Sequence, residues 1–96
     1  MSQELIYRCS PSIIWVKDAK QTLVVDEETE RFWTLRGAAA VVWDLLAVGY
    51  SCRRIIPMLS LIFSLSVEEA EHTLADVLRK WQGAGIVRVA GGTNDG

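Results

Sequence analysis

WTLRGAAAVVWDLLAVGYS, residues 33–51, changes its period in the middle. Before Gly37 it reads as the end of a strand, and after it as a helix. Ala40, Val41, Trp43, Leu45 and the pair Ala47-Val48 form a wide apolar stripe at helical spacing, and Gly49 is a natural stop. A strand therefore meets a scaffolding helix at Gly37. Upstream, SIIWVKD (12–18) and TLVVD (22–26) are rich in β-branched and aromatic residues, and Asp18-Ala19-Lys20-Gln21 can turn one into the other. A second polar stretch, Glu27-Glu28-Thr29-Glu30, leads into RFWTL (31–35). Three short strands with polar connections predict an antiparallel meander.

Downstream, Ser51 can cap a helix through CRRIIPMLSLIFS, but Pro57 falls inside it. Proline lacks the N–H and clashes with the preceding turn. The helix either kinks there or begins near Arg54 with Pro57 in its first turn. The third helix is the clearest element. Ser66 and Glu69 make a capping box, and Val67, Ala70, Leu74, Val77, Leu78 and Trp81 follow the spacing of one buried face. Asp76 and Lys80 are spaced to pair on its exposed side. Gly83 and Gly85 end it, and IVRV (86–89) adds a last short strand. Residues 1–6 read as loose, and the tail AGGTNDG (90–96) as disordered. The result is one α+β domain over 1–89, winged helix-turn-helix-like, with a three-stranded antiparallel sheet followed by three helices.

Composition narrows the function. Half of the 96 residues are hydrophobic, so the chain can bury a core. Its net charge of −2 argues against a phosphate backbone as main partner. The most apolar run, Ile55 to Leu65, is too short to span a bilayer, and no secretory signal opens the chain. Cys9 and Cys52 lie far apart without metal-ligand spacing and read as reduced thiols of a cytoplasmic protein. His72 stands alone on a helix surface, and Glu27, Glu28 and Glu30 belong to a solvated turn. No nucleophile with a base, phosphate loop or metal cage is present, so the sequence implies neither an enzyme nor a cofactor.

From about Val24 to Val87 the sequence resembles the PqqD-like family, the peptide-recognition elements of ribosomal peptide natural-product pathways. The resemblance rests on Asp26, the pair Phe32-Trp33, and Leu35 at the strand end. It continues through Ala39, Trp43, Leu46 and Gly49, then Ser51, and finishes with Leu78, Gly85 and Ile86. Two positions depart from the family pattern. Arg36 stands where asparagine is common, and Glu30 replaces a hairpin glycine. The segment around the first helix is most similar to the discrete recognition proteins of lasso-peptide systems.

The resemblance implies that the leader of a precursor peptide adds as a strand beside residues 31–35, in a groove against the third helix. Such β-augmentation draws affinity from backbone hydrogen bonds and choice from side-chain pockets. The implied peptide-binding residues are Arg31, Phe32, Trp33, Thr34 and Leu35 on the strand. On the helix they are Leu74, with Asp76 and Lys80 as polar groups nearest the groove and Val77 and Trp81 forming its floor. Alternation puts Arg31, Trp33 and Leu35 on one face and Phe32 and Thr34 on the other. The implied partners are the leader peptide and a separate leader peptidase, cyclase or other maturation enzyme, with neither nucleic acid nor membrane. Two other readings stay open. One is a winged-helix DNA binder, although Arg53, Arg54, Arg79 and Lys80 make a poor basic surface. The other is an obligate interaction subunit or dimer, because one helix face cannot bury all of the apolar residues from Ile55 to Leu65.

Overall fold

In the computed structural model, which describes residues 5–91, the elements run β1 (Ile6–Cys9), β2 (Ile13–Asp18), β3 (Gln21–Asp26), β4 (Arg31–Arg36), α1 (Ala38–Ala47), α2 (Cys52–Phe63), α3 (Val67–Gly83) and β5 (Val87–Gly91). Strands β2, β3 and β4 form the antiparallel meander, in that order. The two-residue turn Ala19-Lys20 closes β2 on β3, pairing Asp18 with Gln21. The loop 27–30 closes β3 on β4, pairing Asp26 with Arg31. Both turns hold a non-glycine residue in the left-handed region, Ala19 at φ 54° and Glu30 at φ 60°. In the second loop the Glu30 N–H donates to the Asp26 carbonyl at 2.8 Å, and the Glu28 N–H donates to the Asp26 carboxylate at 3.0 Å. Asp26 thus shapes the loop that aims β4.

Gly37, at φ 57° and ψ −133°, makes the corner into α1. The face that α1 buries is Ala40, Val42, Trp43 and Leu46. Val41 and Leu45 are half-buried and Val48 is exposed, so the stripe sits about one position from where the spacing put it. This helix is apolar nearly all round, and its neighbours decide which side turns inward. Its end follows a Schellman pattern, with the Gly49 N–H on the Leu46 carbonyl at 2.9 Å and the Tyr50 N–H on the Leu45 carbonyl at 3.1 Å.

Helix α2 starts at Cys52, not near Arg54, and continues through Pro57. The proline ring is exposed, while Cys52, Ile55, Ile56 and Leu59 are buried on the other side. That burial outweighs the lost hydrogen bond. Helix α3 carries the capping box, with the Glu69 N–H on the Ser66 hydroxyl at 3.0 Å and the Ser66 N–H on the Glu69 carboxylate at 2.8 Å. The expected Asp76–Lys80 pair is replaced by Asp76–Arg79, at 2.8 Å and one residue closer along the helix. Arginine's longer, forked donor reaches back over the shorter spacing.

A second, two-stranded sheet was only half legible. Strand β1 pairs antiparallel with β5, Tyr7 opposite Val89 and Cys9 opposite Val87. The stretch expected to be loose therefore enters a strand at Ile6, and β5 extends through Ala90 and Gly91, the first residues of the expected tail. The rest of that tail, 92–96, and residues 1–4 lie outside the described residues.

One core joins these parts. At its centre Trp43 packs edge-to-face on Trp15 of β2, 5.5 Å between ring centroids, and on Trp81 of α3 at 5.3 Å. Around them Val24, Leu35, Ile55, Leu59, Leu74, Leu78 and Ile86 are buried. At the surface, Lys17 of β2 forms an ion pair with Asp44 of α1.

The left-handed Glu30 gives a direct prediction. Glycine at that position relieves the steric cost of the conformation, on the order of 1 kcal/mol. Glu30→Gly is expected to raise the denaturant midpoint at unchanged slope; a lowered midpoint contradicts the strain.

Candidate functional site

The hydrogen-bond phase of the sheet follows from its tight turn. A two-residue hairpin makes Asp18 and Gln21 a hydrogen-bonded pair, and such pairs alternate along an antiparallel ladder. Gln21, Leu23 and Val25 therefore direct their backbone groups to β2, as does Glu27, whose N–H donates to the Ser12 carbonyl at 3.0 Å. Thr22, Val24 and Asp26 direct theirs to Leu35, Trp33 and Arg31 of β4. It follows that Phe32, Thr34 and Arg36 direct N–H and C=O away from the sheet. Among the described residues strand β4 lies at the end of the strand order, with no partner on that side. An extended peptide finds there a row of unsatisfied donors and acceptors.

Side chains follow the same alternation. Leu35 is buried in the core and Trp33 is half-buried against it, with the Arg31 guanidinium over its ring at 5.0 Å from the centroid. Phe32 is 68% exposed on the opposite face, beside exposed Thr34. Arg36 donates from Nε to Oε1 of Gln21 at 3.0 Å.

On the helix side the residues implied by the resemblance differ in exposure. Leu74 is fully buried and Trp81 nearly so. Val77 is half-buried, and Asp76 and Lys80 are exposed. Strand β4 packs chiefly on β3 and α1, while α3 packs on α2, β5 and α1. The α3 backbone thus stands off from the free edge. Arg31 and Trp33 touch directly; no hydrogen bond or ion pair links β4 to α3 among those described.

The electrostatics around the edge are local. The Ser12 hydroxyl holds the Asp26 carboxyl below its ordinary value, against the opposing effect of burial, with help from the Glu28 N–H and from Thr29. Burial pushes the Cys52 thiol up to about 11, which keeps it protonated and inert at neutral pH. Cys9 and Cys52 are both free thiols. Among the described residues no group of three or more His, Cys, Asp or Glu side chains could hold a metal ion. No helix there is long and apolar enough to cross a membrane.

Two exposed apolar surfaces lie outside this edge. The run from Ile55 to Leu65 divides, with Ile55, Ile56 and Leu59 in the core and Leu61 84% and Ile62 53% exposed. On the sheet, Ile14 and Val16 are exposed on the same outer face as Phe32. The alternation of residues 12–18 carried that signal, because Ile14 and Val16 fall opposite to Ile13 and Trp15.

A meander with an unpaired edge at β4, followed by three helices in winged-helix fashion, defines a small α+β module. Residues 21–87 match the family described as coenzyme PQQ synthesis protein D (PqqD), and the chain belongs to that family. No curated protein matches this sequence. Two solved structures share the fold. One is described as TbiB1 in complex with the TbiA(beta) leader peptide, with TM-score 0.80 and 17% identity over 91% of this chain and 99% of that one. The other is a lasso peptide synthetase B1 complexed with its leader peptide, with TM-score 0.79 and 20% identity over 85% and 96% of the two chains.

The lowered Asp26 pKa fixes the sign of a pH effect. A carboxyl depressed in the folded state adds stability that is complete above its unfolded pKa of about 3.9 and is lost as pH falls through the lower folded value. Asp26→Asn is expected to lower stability at neutral pH and to flatten the acid limb of the stability profile. An unchanged acid limb by chemical denaturation contradicts the assignment.

Proposed function

We propose that this chain is a non-catalytic recognition protein that binds the leader region of a ribosomally made precursor peptide. The leader adds as a strand to the free edge of β4, beside α3. The observation that carries this reading is the outward row of backbone groups at Phe32, Thr34 and Arg36, next to half-buried Trp33. The resemblance to two leader-peptide complexes supports it. Backbone pairing supplies affinity of roughly 0.5–1.5 kcal/mol per hydrogen bond. Trp33, with Val77 and Lys80 across the gap, supplies the side-chain contacts that choose among peptides.

The protein then presents the bound precursor to separate maturation enzymes, a leader peptidase and a cyclase of lasso type. Leu61 and Ile62 are the surface assigned to such an enzyme, because they leave exposed apolar area on α2, whose main neighbours are α3 and α1. A nucleic-acid partner is disfavoured by α3 itself, where the four acids Glu68, Glu69, Glu71 and Asp76 offset Arg79 and Lys80.

Titration of a labelled leader peptide tests the reading. Thr34→Pro removes an outward N–H and is expected to abolish binding while circular dichroism shows a folded protein. Trp33→Ala is expected to weaken binding by about 1–3 kcal/mol, and Lys80→Glu to change affinity in a salt-dependent way. Full-strength binding by folded Thr34→Pro rules out strand addition at this edge.

A further inference from the structure

The solvent face of the sheet carries cross-strand rows that end at the free edge. One row runs Ile14, Val25, Phe32, the next Val16, Leu23, Thr34, and the third Asp18, Gln21, Arg36. The first two are largely apolar, with Ile14, Val16 and Phe32 all at least half exposed. The third ends in a cation. Among the described residues each row stops at β4 because no strand pairs beyond it.

A strand paired to β4 continues these rows. Its residues that exchange hydrogen bonds with Phe32, Thr34 and Arg36 must project onto this same solvent face, because directly opposed residues share a face. Their side chains then stand about 5 Å from those of β4. The residue beside Phe32 meets an aromatic ring 68% exposed in the free protein, which an apolar side chain covers. The residue beside Arg36 meets a guanidinium whose Nε is already engaged by Gln21 at 3.0 Å. That bond fixes the fork at the sheet end, where a carboxylate can accept from it.

We infer that β4 reads its peptide on two faces, and that the solvent-side row of Phe32 and Arg36 selects a strand with an apolar residue and, four positions away on the same face, a carboxylate. The inference rests on strand addition at β4 and adds a specificity that the inward groove at Trp33 does not supply.

Selection of a phage-displayed library of random peptides against the wild type and against Arg36→Glu and Phe32→Ala tests it. Edge binders are those that lose retention on Thr34→Pro or, should that variant unfold, those that protect the Phe32 and Thr34 amides from hydrogen exchange. Wild-type edge binders are expected to share an apolar and an acidic residue four positions apart. Arg36→Glu should replace the acid by lysine or arginine, with a preference reversed roughly fivefold at low salt, and Phe32→Ala should erase the apolar position alone. Edge binders lacking that pair, or keeping the acid against Arg36→Glu, overturn the solvent-side row and leave strand addition standing. Retained peptides that never engage the edge, or no retained peptides, overturn strand addition and the row with it.

Discussion

Trp43 is the contact on which the rest of the structure depends. It is 2% exposed and touches Trp15 of the sheet and Trp81 of α3, edge-to-face on both sides. Each such pair adds roughly 0.5–1.5 kcal/mol beyond its buried area. The geometric effect is larger than the energetic one. By placing one ring of α1 between β2 and α3, the stack sets how far the meander lies from the last helix.

An open edge is a hazard as well as a site. Proteins usually blunt such edges with charge, brevity or strain. Strand β4 has six residues, with arginine at both ends. Its hairpin holds a strained Glu30 and is tied down by buried Asp26. These features fix the register and limit how many partners can add by backbone pairing alone. The opposite edge, at β2, has Lys17 drawn to Asp44 of α1. The two edges of one sheet are thus managed differently.

The local signals in the sequence were sufficient for the meander and α3. Alternation in 12–35, the short turns and the Ser66–Glu69 box are statements about neighbours in the chain, and each became the element it described. What lay beyond local pattern was decided at long range. Strand β1 finds its partner near the other end of the chain, so no window around IYRC could show it. The inward face of α1 was ambiguous because nearly every side of that helix is apolar. Pro57 argued for a later helix start, and burial of Cys52, Ile55 and Ile56 overrode it. At the site, the strand half was readable from alternation, with Leu35 buried, Trp33 half-buried and Phe32 exposed. The helix half was less so. The period of α3 names most of its inward residues, although Val67 in its first turn is exposed, and it does not tell that Leu74 lies wholly beneath the surface while Val77 reaches part-way out.

The central claim is that β4 keeps an inner row of satisfied amides and an outer row of open ones until a peptide strand arrives. Residue-resolved amide hydrogen exchange, followed before and after adding a leader peptide, measures both rows at once. In the free protein Trp33 and Leu35 should exchange slowly while Phe32, Thr34 and Arg36 exchange fast. With peptide bound, the outer three should become protected while the inner ones change little. Saturating peptide that leaves the Phe32 and Thr34 amides in fast exchange would contradict the account.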